Sequence, residues 1–151
     1  MREPRPCLSL QPGRIVVGIA GALLAGLGPV KAAVLSVPAD YPTIQAGIDA
    51  AQAGDEVLVS AGTYLENITL GDADITLASE SGPDATIIDG QKKGSVVHFI
   101  GNQRHAVRLS GFTLRNGSAS FEGGGMYVTA YGVGGQWVNN TVADNQATSG
   151  S

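Results

Sequence analysis

The sequence predicts an all-β fold, a parallel solenoid of short stacked strands led in by one short helix, and three observations carry it. Glycine supplies 22 of the 151 residues without a triplet period, and aromatics are only 5%, so the core must rest on Val, Ile, Leu and Ala between many turns. From Asp55 onward, apolar and β-branched residues recur at a period of two in nine short runs. Two segments of the C-terminal half then repeat one another at a spacing of about 28 or 29 residues.

The elements follow in chain order. Arg2, Arg5 and Arg14 precede an apolar run over 15–30, and small residues flank Lys31 at its exit. A positive start, a short apolar stretch and a small-residue exit predict a signal peptide over 1–32, cut after Ala32. The run is short of the roughly 20 residues that span a bilayer, and Pro29 near its end favours cleavage over anchoring. The cut removes Cys7, the single cysteine, so neither a disulfide framework nor a cysteine zinc site is expected. The whole chain carries a net charge of −4; the mature part keeps twelve acidic and five basic side chains, a formal −7. That balance argues against a nucleic-acid partner. A secreted or outer-surface protein is expected, with no membrane span in its mature chain.

Residues 33–54 read as an N-terminal cap. Ser36 to Thr43 holds two prolines and reads as an extended entry. Ile44, Ile48 and Ala51 recur at helical spacing, with Thr43 or Asp40 to cap the start and Gly54 to end a helix of about ten residues. Residues 55–151 read as strands at 57–59, 68–70, 75–77, 86–88, 96–100, 107–109, 112–114, 126–128 and 137–142. Turn chemistry separates them, at Ala61-Gly62-Thr63, Gly71-Asp72, Ser81-Gly82-Pro83-Asp84, Asp89-Gly90, Gly101-Asn102, Asn116-Gly117 and Gly123-Gly124-Gly125. Such strands suit a sandwich, a barrel or a parallel solenoid. The repeat favours the solenoid, because Leu109 to Ala119 and Trp137 to Ala147 each end a strand in Asn followed by small residues. An Asn at such a turn tolerates a left-handed backbone and is expected to hydrogen-bond the equivalent amide one rung away.

At this point a family resemblance enters. Val37 to Ala51, Gly54-Asp-Glu-Val-Leu-Val59 and Gly62-Thr-Tyr-Leu-Glu-Asn-Ile68 resemble the N-terminal cap and first coil of right-handed parallel β-helix, pectin-lyase-like proteins. Ile75-Thr-Leu-Ala-Ser79 and Ala85-Thr-Ile-Ile-Asp-Gly90 match the next coil. Leu109-Ser-Gly-Phe-Thr-Leu-Arg-Asn-Gly117, Gly123-Gly-Gly-Met-Tyr127 and Asn140-Thr-Val-Ala-Asp-Asn145 resemble repeats of large bacterial surface β-helix proteins. The resemblance implies an all-β, right-handed parallel β-helix (a single-stranded solenoid) with a short N-terminal capping α-helix. It implies little about activity, since that superfamily includes lyases, hydrolases, esterases, adhesins and non-catalytic stalks. The chain stops at Ser151 in mid-repeat, so coils 55–151 are expected to be truncated at the C-terminus and to leave an open coil whose edge can pair.

No catalytic constellation is legible. Asp72, Asp74, Asp84 and Asp89 cluster around two turns, where carboxylates can hold calcium, but no calcium-loop spacing is present and solvated turn residues are the plainer reading. The calcium-binding and paired-acid motifs of pectate lyases and pectinesterases find no match, so no catalytic or cofactor-binding residue is assigned and the metal site is left open. His98 sits in a strand and His105 in a polar loop, both read as ordinary positions. Arg104, Arg108 and Arg115 form a small basic cluster; Arg108 and Arg115 sharing a face of neighbouring rungs would make a stripe for uronates, but charge balance on an acidic surface is the plainer reading. Tyr127, Tyr131 and Trp137 are close enough in sequence for an aromatic sugar platform, but Tyr127 and Trp137 fall at strand positions, where filling the core is the plainer reading for one of them. Gly123-Gly-Gly125 lacks the Lys-Ser or Lys-Thr of a phosphate loop and reads as close packing at a corner. Asn67, Asn116 and Asn139 open glycosylation sequons, meaningful only in a eukaryotic host.

The expected function is therefore a structural, adhesive or carbohydrate-binding one, with a polysaccharide or cell-surface glycan as partner, no cofactor, and calcium as the one ion to consider. The alternative is a polysaccharide-active, pectate-lyase-like enzyme for uronate-containing glycans whose active site lies on coils beyond Ser151.

Overall fold

The computed structural model describes residues 31–102, 106–120, 122–131 and 134–148. The signal-peptide reading, Cys7, Arg104 and His105 lie outside them, apart from Lys31 and Ala32 at the leader's end. Among the described residues no helix is long and apolar enough to cross a membrane.

The chain is all-β apart from one helix. In order it forms β1 (Val34–Val37), α1 (Ile44–Ala50), β2 (Glu56–Val59), β3 (Gly62–Tyr64), β4 (Ile68–Leu70), β5 (Thr76–Ser79), β6 (Thr86–Asp89) and β7 (Val97–Asn102). Then follow β8 (Arg108–Ser110), β9 (Thr113–Arg115), β10 (Ser118–Ser120), β11 (Met126–Tyr131), β12 (Gln136–Val138), β13 (Thr141–Ala143) and β14 (Gln146–Thr148). Four sheets hold the strands in the orders β1-β2-β5-β8-β12, β3-β6-β9-β13, β4-β7-β11 and β10-β14. Each described pairing is parallel, and from β2 onward consecutive strands fall in different sheets before the chain returns one strand further along the first. This winding is consistent with a parallel β-solenoid. The last register steps are 28 residues in the first, second and fourth sheets and 29 in the third, as Arg108 to Gln136, Thr113 to Thr141, Ser118 to Gln146 and Val97 to Met126 show.

Parallel in-register pairing turns alternation into columns, because every second side chain points inward. Leu35, Val57, Leu77, Leu109 and Trp137 stack through the first sheet; Tyr64, Ile88, Leu114 and Val142 through the second; Leu70, Phe99 and Val128 through the third. Most of these residues are fully buried and form one core. Trp137 meets Phe99 edge-to-face across it, ring centroids 5.7 Å apart.

α1 is shorter than its periodicity predicts, seven residues instead of about ten, because Ala51 turns extended (ψ 142°) and its N–H closes on the Gly47 and Ile48 carbonyls. Thr43 is the N-cap, accepting from the Ala46 N–H at 3.1 Å. Glu66 reaches across and accepts from the Ile44 and Gln45 N–H groups, each at 3.1 Å. Ile44 and Ile48 enter the core beside Leu35, Val37 and Val57.

Several strands differ from the sequence expectation. Residues 137–142 are two strands, β12 and β13, because Asn139 takes φ 51° and turns the chain. β1, β3, β10 and β14 were not predicted as strands, and the expected turn Ala61-Gly62-Thr63 runs into β3. The Asn residues also act differently: Asn140 accepts from the Phe112 N–H at 3.0 Å and donates to the Leu109 carbonyl at 2.9 Å, while Asn145 does the same to Gly117 and Leu114. These amides bond the backbone of the coil below, not an equivalent amide. The expected left-handed backbone is present at Asn116, whereas in the second repeat it falls on Asn139 and Asp144 and not on Asn145.

Candidate functional site

The outward positions of the third sheet carry the site. Register puts Thr69, His98 and Tyr127 side by side on β4, β7 and β11, between inward Ile68, Val97 and Met126 and inward Leu70, Phe99 and Val128. The His98 and Tyr127 rings stack with centroids 5.0 Å apart and planes tilted by 38°. His98 Nε2 lies 3.1 Å from Thr129 Oγ1, and that hydroxyl donates to the Phe99 carbonyl at 3.3 Å. A hydroxyl has one proton, so with it committed to Phe99 the contact with the imidazole requires a proton on Nε2.

Beside this pair lies an open groove of about 210 Å³, lined by Asn67, Thr69, Lys93, Ser95, His98 and Glu122 among others. One wall is the turn before β7. The Lys93 N–H bonds the Gly90 carbonyl at 2.9 Å, and the two residues between, Gln91 and Lys92, stand at φ 52° and 58°. A left-handed backbone costs a side-chain-bearing residue about 1–2 kcal/mol. Here Gln91 N–H donates to Asp89 Oδ1 at 3.0 Å, Lys92 N–H to the Asn116 carbonyl at 2.6 Å, and Gln91 Nε2 to the Leu65 carbonyl at 3.4 Å. Asn67 Nδ2 donates to the Ser95 carbonyl at 2.9 Å and ties the wall to the strand edge. The other wall enters from the turn before β11, where Gly117 and Gly124 touch backbone to backbone; a Cβ on Gly117 would collide with the Gly124 carbonyl. Cβ atoms on Gly123 and Gly124 would likewise collide with the Met126 and Gln146 carbonyls, which accounts for the glycines at the corner.

The sequence-predicted candidates scatter. Trp137 is in the core on Phe99, so it shares no platform with outward Tyr127, and the Tyr131 side chain lies outside the described residues. Arg108 and Arg115 stand in different sheets of one coil, not on neighbouring rungs; Arg108 reaches Gln136 Oε1 at 3.5 Å and Arg115 pairs with Asp89 at 3.0 Å. The alternative of a uronate stripe is therefore not formed, and the Arg115–Asp89 pair fits the plainer reading of charge balance. Asp89 also accepts from Asn116 Nδ2 at 2.8 Å, and the Gln91 N–H holds its carboxyl below the usual value against its burial, with Asn116 and Arg115 assisting. Asp74 accepts from the Ala106 N–H, and Asp84 is exposed. Among the described residues no group of three or more His, Cys, Asp or Glu comes together as a metal site.

Sequence reasoning missed the groove, since Asn67, Lys93 and Glu122 meet His98 only through coil register. Chemically the groove offers an aromatic edge, an amide, one cation, one carboxylate and hydroxyls. No hydrogen bond joins Ser95 to His98, so the nucleophile–base contact of acyl transfer is not made. No protein-family model, curated protein or solved structure matches the chain.

Proposed function

We propose that the chain is an exported, right-handed parallel β-helix of the pectin-lyase-like kind that works outside the cell as a glycan-binding surface. The observation that carries this reading is the His98–Tyr127 pair, turned outward beside a groove of hydrogen-bonding side chains. Aromatic faces take the C–H side of a sugar ring while amide, hydroxyl and charged groups take its hydroxyls, and small-molecule sites commonly combine the two. The motifs of the cap and coils support the fold assignment, together with the parallel register and the return of the chain after three or four strands. Edge pairing through the outermost coil belongs to the same reading, since β12, β13 and β14 have no strand on their far side among the described residues.

The test is binding of the exported protein to immobilised polysaccharides, beside its Tyr127→Ala variant. Loss of the ring contact is expected to weaken binding about fivefold to tenfold, the worth of one aromatic contact of roughly 1 kcal/mol. The thermal midpoint should stay within a few degrees, because Tyr127 faces outward. Retention of no glycan by the parent protein, or equal retention by both, rejects the reading.

A further inference from the structure

The groove beside His98 holds two opposite charges that do not neutralise each other. Lys93 and Glu122 both line it, and no ion pair or hydrogen bond joins them among the described residues. The remaining polar lining includes the uncharged side chains of Asn67, Thr69 and Ser95, beside His98. Ser95 adds a second, independent observation: its Oγ is buried and has no hydrogen-bond partner. Native proteins leave few such hydroxyls unpaired, and a turn of the Ser95 side chain about its Cα–Cβ bond would be needed to bring this one to a ligand hydroxyl in the groove that Ser95 lines. The wall bearing Lys93 is also held at two left-handed residues, Gln91 and Lys92, and strain of this kind persists where surrounding contacts over-determine it, often at ligand sites.

We propose that this groove recognises an uncharged pyranose unit and discriminates against uronates. The inference rests on the glycan-binding reading above and specifies its ligand class. A sugar hydroxyl both donates and accepts, so one can accept from the Lys93 ammonium while its neighbour donates to the Glu122 carboxylate. A uronate satisfies Lys93 but sets a second carboxylate against Glu122, in a chain whose formal charge is already −4. The two arginines most suited to pairing a uronate stand in different sheets, one of them neutralised by Asp89.

The experiment titrates the exported protein, by calorimetry at two salt concentrations, with neutral oligosaccharides of glucose, galactose and mannose and with oligosaccharides of glucuronate and galacturonate. At least one neutral ligand is expected to bind with little salt dependence and to exceed its matching uronate by about tenfold or more. Glu122→Gln should admit the uronate and shrink that ratio severalfold, while Lys93→Met weakens the neutral ligand without restoring the uronate. Thermal melts of both variants confirm that they fold. Tighter binding of uronates, falling with salt, overturns the inference and leaves the glycan-binding reading standing. Neutral binding that Tyr127→Ala abolishes but Lys93→Met and Glu122→Gln leave unchanged overturns the placement of the ligand in this groove. Binding of no sugar of either class overturns the underlying reading and the inference with it.

Discussion

Asp55 shows how a single side chain fastens the start of the stack. It is buried, and its two oxygens accept from the Ala33 and Gln52 N–H groups, each at 2.8 Å. Those amides hold its carboxyl below the ordinary value of 3.8 although burial pushes the other way. Asp89 is lowered likewise, first by the Gln91 N–H. A carboxyl whose folded pKa is depressed stabilises the fold fully above its unfolded value and loses that contribution as pH falls through the lower folded one. The urea midpoint is therefore expected to be flat above about pH 5 and to fall from near pH 4 downward, with Asp55→Asn and Asp89→Asn each flattening part of the acid limb. Equal acid limbs in parent and variants would remove both residues from this account. The cut proposed after Ala32 adds a second expectation. It would convert the Ala33 amide into an α-ammonium facing the same carboxylate, so the cleaved chain should keep its stability to lower pH than the uncleaved one.

Between neighbouring coils the asparagines act as rivets. Asn140 satisfies the Phe112 N–H and the Leu109 carbonyl together, both on the coil below. Asn140→Ala strands two backbone groups and is expected to cost about 1–3 kcal/mol in denaturant unfolding. Asn139 beside it holds φ 51°, so Asn139→Gly should be near neutral and Asn139→Val should cost more than about 1 kcal/mol. A reversed order, with Asn139→Gly the costlier change, would show that Asn139 and not Asn140 makes the rivet. The same elements show what the sequence could convey. Strands β2, β4 to β9 and β11 were legible within a residue or three at their ends, because their inward positions must be filled by Val, Ile, Leu, Met or Phe in every coil. Strands β3, β10 and β14 were not. Gly-Thr-Tyr, Ser-Ala-Ser and Gln-Ala-Thr carry no apolar alternation, and in β10 and β14 the paired residues Ala119 and Ala147 leave no large side chain to signal a period. The groove was illegible for a related reason. Asn67, Lys93 and Glu122 belong to three separate coil segments, and only the 28–29-residue register makes neighbours of them.

The two ends of the whole stack are built differently. At the first end β1 flanks β2, α1 packs on β1, β2 and β4, and the Gln45 carboxamide imitates a strand by accepting from the Thr69 N–H at 2.8 Å and donating to its carbonyl at 3.3 Å. At the other end β11, β12, β13 and β14 are outermost among the described residues, and none of their fifteen residues is charged or proline. Inward-facing Val142 is 58% exposed and Val128 43%, so the last rung of the core has no cover among the described residues. Edge strands that carry no Lys, Pro or bulge tend to pair with another edge. For a chain that ends at Ser151, two copies are then expected to meet through their last coils, a self-complementary contact that stops at a dimer because the first end is closed. Sedimentation velocity across a concentration series should then show a monomer–dimer equilibrium in the micromolar range. Val142→Lys should shift it toward monomer while leaving the thermal midpoint within a few degrees, since Val142 contributes little burial to one copy. A monomer at every concentration up to about 100 µM would reject the contact, and growth beyond the dimer would show that α1 and Gln45 fail to close the first end.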